Sequence, residues 1–304
     1  MSELRFDGRV AVITGGARGL GRAYALLLAS RGAKIVVNDL GASMKGDDAS
    51  AGPAEDLAAE IRSAGGEAVA STDSVATPEG GKAIIGTALD AFGRVDILIH
   101  SAGNVRKALL SEMSYADFEA VLDVHLRGGF HVLREAFPLM LEQGYGRIVM
   151  TSSINGLYGK GNSGNYATAK AGLIGLSHSA AIEGLARNVR SNVIVPAAVT
   201  RMSEGIDTSQ FPPMDPDMVA PAVAWLCHET CEMTGEMLVS MGGRVARAWV
   251  AESPGVFRKD WSIEDMAAEM PAIRDQSNPV SFPPAPDGQL DHLMYGFAMA
   301  RAQD

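Results

Sequence analysis

Two cysteines in 304 residues are too few for a disulfide framework. Cys227 and Cys231 stand four apart beside the apolar run Val219 to Leu226, with His228 between them. No second ligand pair accompanies them, so the expectation is buried, unreactive thiols and no metal. Excess positive charge is missing as well. With 36 acidic against 26 basic residues the net charge is −10, which argues against a nucleic-acid-binding surface while leaving a local basic pocket open. No stretch approaches the ~18 consecutive apolar residues of a membrane span. The opening Met1-Ser2-Glu3-Leu4-Arg5-Phe6-Asp7 has no apolar core of a signal peptide. A soluble, cytoplasmic protein is therefore expected. Internal repeats and low-complexity tracts are lacking too.

What is present is an alternation of short β-branched runs with longer helical stretches. Val10-Ala11-Val12-Ile13, Ile35-Val36-Val37, Val95 to Ile99, Ile148-Val149-Met150 and Val193-Ile194-Val195 are continuous apolar runs, as strands covered on both faces require. Helices between them are predicted to begin near Leu20, Pro53, Pro78, Tyr115 and Asn165. Such βαβ repetition predicts an α/β fold with a parallel, doubly wound sheet of Rossmann type. Residues 1–254 read as one domain. Beyond Pro254, Pro271, Pro279, Pro283, Pro284 and Pro286 interrupt the chain. Residues 255–304 read as a C-terminal extension with helices around Ile263 to Met270 and Leu290 to Arg301.

Thr14-Gly15-Gly16-Ala17-Arg18-Gly19-Leu20-Gly21 follows the first strand and opens a helix. Gly15, Gly19 and Gly21 permit a tight turn, a close approach to a pyrophosphate and packing of helix on sheet, while the helix N-terminus favours negative charge. Asp39 ends the second strand, where a carboxylate accepts from a ribose 2′-OH and repels a 2′-phosphate; this points to NAD. Arg18 argues the other way, since a basic side chain in the glycine loop can reach a 2′-phosphate. Asp39 is taken to decide, because a phosphate dianion about 4 Å from a carboxylate costs on the order of kcal/mol even when screened.

Tyr166 and Lys170 stand four apart with Ser153 thirteen residues upstream. On a helix the phenol and the ammonium share a face. A neighbouring cation can draw a tyrosine down from its usual pKa of about 10 and make it a useful base.

These motifs resemble the short-chain dehydrogenase/reductase family over residues 5 to about 243. A narrower resemblance, to a subgroup acting on (3R)-hydroxyacyl-CoA, is carried by Arg5-Phe6-Asp7-Gly8-Arg9-Val10, Gly21-Arg22-Ala23-Tyr24-Ala25-Leu26, Val37-Asn38-Asp39-Leu40-Gly41, Val124-His125-Leu126-Arg127-Gly128, Tyr145-Gly146-Arg147-Ile148 and Trp225-Leu226-Cys227-His228-Glu229. The resemblance implies that Tyr166 takes a hydroxyl proton, Ser153 holds the substrate oxygen, and Lys170 lowers the tyrosine pKa and holds the nicotinamide ribose. His125 stands where most members have asparagine, and an imidazole there can pass the proton toward solvent or anchor a water. His100-Ser101-Ala102-Gly103 replaces N-N-A-G, leaving Ser101, Ala102 and Gly103 beside the nicotinamide ribose. Asp73 and Ser74 match the pair that flanks the adenine. Pro196, Val199 and Thr200 are expected at the cofactor, Thr200 at its carboxamide, within a segment one residue shorter than usual.

Substrate choice is less constrained. Arg201 to Pro216 reads as a loop over the site, and its Met202, Ile206, Phe211 and Met214 suit an apolar ligand. Arg106, Lys107, Arg201, Arg244 and Arg247 are candidates to meet CoA phosphates. A 3-hydroxyacyl-CoA, fatty or sterol-derived, is the expected substrate. A free hydroxysteroid is the alternative, and an NAD-binding scaffold without turnover is the reading from another class. The resemblance also implies a homodimer or homotetramer built on Tyr115 to Leu141 and Asn165 to Arg187.

Overall fold

The computed structural model describes residues 3–47, 52–203, 207 and 209–302. Two compact units divide the chain, Met1–Arg247 and Ala248–Asp304. In the first, eight strands form one sheet: β1 (Val10–Thr14), β2 (Lys34–Asn38), β3 (Glu67–Ser71), β4 (Ile97–His100), β5 (Gly146–Thr151), β6 (Val189–Ala197), β7 (Met237–Met241) and β8 (Arg244–Ala248), in the order β3-β2-β1-β4-β5-β6-β7-β8. Every pair from β3 to β7 is parallel, as in Val12↔Val36, Val12↔Leu98 and Val149↔Asn192. β1, β4 and β5 are buried along their whole length, because helices cover both faces. That explains why each reads as an unbroken apolar run. Each fully buried aliphatic side chain in these strands contributes roughly 1.5–3 kcal/mol.

Three strands escape such a reading. β3 is Glu-Ala-Val-Ala-Ser and carries one β-branched residue at a sheet edge. β7 and β8 meet at Gly242-Gly243, both at positive φ, the conformation a two-residue hairpin turn needs. β8 alternates arginine with smaller residues and is mostly exposed.

Helices fill the crossovers: α1 (Gly19–Ser30), α2 (Gly52–Ser63), α3 (Pro78–Phe92), α4 (Tyr115–Leu122), α5 (Gly128–Gln143), α6 (Ile154–Tyr158), α7 (Gly164–Gly184) and α8 (Ala220–Cys227). α3 opens with proline after Thr77, whose side chain accepts from the N–H of Gly80, and it stops at Gly93 in the left-handed region. The stretch expected as one helix from Tyr115 is interrupted by a π turn, Asp123–Arg127, between α4 and α5. His125 sits within that turn and is buried. π turns inside α-helices gather at functional sites.

The second unit contains α9 (Ile263–Ile273) and α10 (Gly288–Arg301). Ser262 and Asp265 cap α9 reciprocally, Arg258 bonds both Asp265 and Glu269, and Glu252 and Val280 exchange two backbone hydrogen bonds of 2.9 Å.

Candidate active site

β1 leads off to one side of the sheet and β4 to the other, so a crevice opens at the carboxyl ends of these strands. A cavity of about 560 Å³ occupies it. Gly15, Arg18, Gly19 and Leu20 form one wall. Gly15 has a φ of +63°, and a Cβ there would fall 2.7 Å from Ala102 Cα. Gly21 does not line the cavity. A Cβ at Gly21 would lie 2.1 Å from the carbonyl oxygen of Gly15, so its role is to let α1 press against the turn. No side chain caps α1, and its first turn holds no acidic residue, which leaves its amino end suited to an anion.

Asp39 lies at the cavity wall beyond β2. Its Oδ2 accepts from the N–H of Ala17 (3.1 Å) and its Oδ1 from that of Gly41 (2.8 Å). These bonds fix the carboxylate while lone pairs remain for a hydroxyl. Arg18, expected to compete for a 2′-phosphate, instead donates to the carbonyl of Ala42 at 3.1 Å. Asp73 and Ser74 line the same end, and Asn38 Nδ2 holds the Asp73 carbonyl at 2.9 Å.

At the end of β4, the Thr14 hydroxyl accepts from the N–H groups of Ser101 (3.2 Å) and Ala102 (3.3 Å) and lies 2.9 Å from His100 Nδ1. Having accepted twice, it donates its own hydrogen to His100. His100 therefore carries its proton on Nε2 and donates to the His125 carbonyl at 2.8 Å. Burial, and then the Lys170 charge, push its pKa down to about 3. His100 is a neutral brace between β1 and the π turn.

Tyr166, Lys170 and His125 meet on the inner wall, with Ser101, Ala102 and Gly103 beside them. Lys170 is 3% exposed and donates to the Thr151 carbonyl at 2.6 Å. Its nitrogen lies 5.6 Å from the centre of the Tyr166 ring. Ser153 caps α6, accepting from the Asn155 N–H at 3.2 Å, and is not among the residues lining the cavity; Ser152 is. Ser153 nonetheless faces the Tyr166 phenol closely enough to pull its pKa down.

The phenol of Tyr166 is not lowered overall: burial raises its pKa, outweighing Ser153, and Lys170 is not among the causes of the shift. Burial pulls Lys170 itself down to about 7, so the ammonium that was to activate the phenol is only partly charged at neutral pH. His125, expected to pass a proton to solvent, is 1% exposed, and its Nε2 faces the N–H and C=O of Asn104 at 3.1 and 2.9 Å. Either tautomer meets one of those groups, and the outer nitrogen leads into backbone. Burial holds its pKa well below the usual histidine value. Its geometry fits an anchor, edge-on to Tyr166 with ring centres 5.1 Å apart.

Three buried polar atoms in residues of this wall have no partner: Asn104 Oδ1, His125 Nδ1 and Thr151 Oγ1. Each unmet group costs about 1–3 kcal/mol. Together with the uncapped α1 and the fixed Asp39, they fit a polar dinucleotide. Asp39, Gly15, Gly19 and Leu20 would hold its adenosine and pyrophosphate half, and Tyr166 and Lys170 its nicotinamide half.

Pro196, Val199 and Thr200 also line the cavity. The Val199 N–H donates to the Met214 carbonyl at 2.7 Å, so the loop after β6 folds back on itself. Phe211 and Met214 reach the cavity. Gly205 and Ile206 lie outside the described residues, as does the side chain of Met202. Two of the five proposed phosphate contacts are already committed. Arg106 bonds Asp117 at 3.0 Å and the Lys45 carbonyl, and Arg247 pairs with Glu236 at 2.8 Å.

Sequence reasoning missed Thr14, Asn104 and Asn165. Asn165 is fully buried, its Nδ2 donating to the carbonyls of Arg106 and Asp117 while its Oδ1 receives the Tyr166 N–H. Its place directly before Tyr166 was the available signal.

The family model for short chain dehydrogenases matches residues 9–210, and the chain belongs to that family. It is an oxidoreductase acting on CH–OH groups. It is 51% identical over 264 residues to the peroxisomal multifunctional enzyme type 2 of Drosophila melanogaster, covering 86% of this chain and 44% of that protein. A putative short-chain type dehydrogenase/reductase of Mycobacterium tuberculosis is 45% identical over 275 residues, covering 88% of this chain and 95% of the relative. The solved full-length Drosophila multifunctional enzyme matches with a TM-score of 0.80 and 36% identity, across 98% of this chain and 50% of that one. The chain thus spans about half the length of that relative.

Proposed function

We propose that this chain oxidises the 3-hydroxyl of a (3R)-3-hydroxyacyl-CoA, fatty or sterol-derived, with NAD. The carrying observation is the convergence of Tyr166, Lys170, His125 and Asp39 on one cavity that Ser153 adjoins. Relatives named peroxisomal multifunctional enzyme type 2, and others named hydratase-dehydrogenase-epimerase, support the acyl-CoA choice. NAD, rather than NADP, rests on Asp39 and on the engagement of Arg18 with Ala42.

When bound, oxidised nicotinamide supplies the hydride acceptor and a positive charge that favours a phenolate nearby. The Tyr166 oxygen takes the substrate hydroxyl proton. Ser153 donates to the substrate oxygen and holds it beside the phenol. Lys170, fixed by the Thr151 carbonyl, supplies a ribose contact. His125 offers Nδ1 as a neutral polar site behind Tyr166.

NADH formation across a panel of 3-hydroxyacyl-CoAs and hydroxysteroids tests the reading, with NADP run in parallel. Phe211, Met214 and Val199 give the cavity an apolar side that a steroid would also fit, so a free hydroxysteroid is the second reading. Equal kcat/KM for NAD and NADP would reject the role given to Asp39; Asp39→Ala should narrow the preference.

A homodimer or homotetramer belongs to the same proposal. Phe130 on α5 and Ile182 on α7 are 50% and 45% exposed, which suits helices that pack on a second copy. Sedimentation as a monomer at micromolar concentration would reject it. The proposed compartment is the cytoplasm, while several relatives are named peroxisomal; cell fractionation decides between them.

A further inference from the structure

The segment 41–47 leaves β2 just past Asp39 and crosses from one end of the cavity to the other. Ala42, Ser43, Lys45 and Gly46 all line it. At the α1 end, Arg18 Nη1 donates to the Ala42 carbonyl at 3.1 Å. At the β4 end, the Val105 N–H donates to the Met44 carbonyl at 3.0 Å. The firmest tie is Arg106, whose Nε and Nη2 both donate to the Lys45 carbonyl, at 3.2 and 3.0 Å. Gly46, at a φ of +94°, lets the turn lie flat: a Cβ there would approach Asn104 Nδ2 to 3.3 Å.

Arg106 reaches further. Its Nη1 donates to the Asp117 carboxylate at 3.0 Å, and this bond, helped by Ser114, holds that carboxyl below its ordinary pKa. Its backbone carbonyl accepts from Asn165 Nδ2 at 3.0 Å, and the same Asn165 receives the N–H of Tyr166 at 2.8 Å through Oδ1. One residue thus joins the segment 41–47, α4 and the first turn of α7. Two parallel donors on one carbonyl and a third on a carboxylate require the planar fork of a guanidinium, which a lysine cannot reproduce.

We propose that Arg106 is a positioning residue for the cofactor, buckling the segment 41–47 across the dinucleotide cavity and tying that closure to the backbone of Tyr166. The proposal rests on the dinucleotide reading of the cavity. It gives a role to a cationic side chain that the sequence suggested for a substrate phosphate. It also separates the two ends of the strap: Arg18 secures the Asp39 side and Arg106 the Tyr166 side. A cofactor lying beneath must wait for both ties to open before it leaves.

The test compares the parent with Arg106→Ala, Arg106→Lys and Gly46→Ala. NADH binding is read by fluorescence titration, and trypsin cleavage of the Lys45–Gly46 bond by mass spectrometry, with and without NADH. The expected results for Arg106→Ala are a Kd at least fivefold above the parent's and cleavage after Lys45 at least fivefold faster. Arg106→Lys should remain closer to alanine than to arginine. Gly46→Ala, which disturbs the strap without touching the guanidinium, should move both readouts the same way if Arg106→Ala does not fold. KM for the cofactor should rise by a larger factor than kcat falls. NADH binding within twofold of the parent in both Arg106→Ala and Gly46→Ala, with unchanged cleavage, overturns the proposal and leaves the dinucleotide reading standing. If the parent itself fails to bind NADH, both fall.

Discussion

His100 donates from Nε2 to the backbone carbonyl of His125 across 2.8 Å, joining the end of β4 to the π turn that carries the imidazole behind Tyr166. His100 also receives the Thr14 hydroxyl, so its two nitrogens span from β1 to the helix pair α4–α5. His100→Leu fills much of the same volume but leaves the Thr14 hydroxyl and the His125 carbonyl without this partner. A loss of roughly 2–6 kcal/mol in urea unfolding is expected, about 1–3 for each of the two buried groups left unmet. A loss below about 0.5 kcal/mol, the size of an ordinary surface substitution, would show that the brace contributes little to stability.

Tyr166→Phe removes the phenolic oxygen and leaves Lys170 bonded to Thr151. Turnover should fall by roughly a hundredfold or more, the range for removal of a general base, while NADH binding stays within about twofold. Turnover within tenfold of the parent would reject Tyr166 as the base.

Lys170 sets a pH signature that can be read without cofactor. Its folded-state pKa of about 7 lies below the unfolded value near 10.5, because burial penalises the charged form. Above pH 7 the folded chain has released this proton and the unfolded chain has not. The unfolded state then binds more protons, and stability rises with pH. Between pH 7 and 8.5 the parent should gain up to about 2 kcal/mol relative to Lys170→Met, at a limiting slope of about 1.4 kcal/mol per pH unit. Urea unfolding of both proteins at pH 7.0, 7.75 and 8.5 measures the difference. Parallel curves would mean that Lys170 keeps an ordinary pKa in the folded chain. Subtracting the variant matters, because burial raises Tyr24, Tyr145 and Cys227, and these act in the opposite sense as pH climbs further.

Most of the sheet was legible because burial on both faces leaves an unbroken apolar run, as at Val10 to Ile13 or Ile148 to Met150. β3 was not, since an edge strand of Glu-Ala-Val-Ala-Ser carries no such run, and neither was β8, whose arginines alternate in solvent. At the site, residue types and their order pointed to the chemistry. Spacing could place Lys170 beside Tyr166 but could not weigh burial, which reverses the sign expected for the phenol. The π turn left no mark in composition, since one extra residue in a helical turn changes no residue type. Nor could the sequence tell that Arg106 is spent on Lys45 and Asp117, contacts that join residues 61 and 11 positions apart.

The substrate handle is the last point to test. With Arg106 and Arg247 committed to carboxylates, Lys107 and Arg244 are the basic candidates for CoA phosphates. Lys107 and Arg244 are exposed and form no ion pair among the described residues. Phosphate contacts of this kind, far from the reacting carbon, supply binding energy that positions the hydroxyl against Tyr166. A (3R)-hydroxyacyl-CoA should therefore be oxidised with a higher kcat/KM than the matching free acid. Because the contacts are exposed, raising salt from about 0.1 M to about 1 M, which shortens the screening length from about 10 Å to about 3 Å, should shrink that advantage severalfold. Lys107→Ala should shrink it at low salt and leave little further loss at high salt. If a free hydroxysteroid outperforms every acyl-CoA and salt makes no difference, the thioester reading is wrong and the steroid takes its place, held by Phe211 and Met214 rather than by charge.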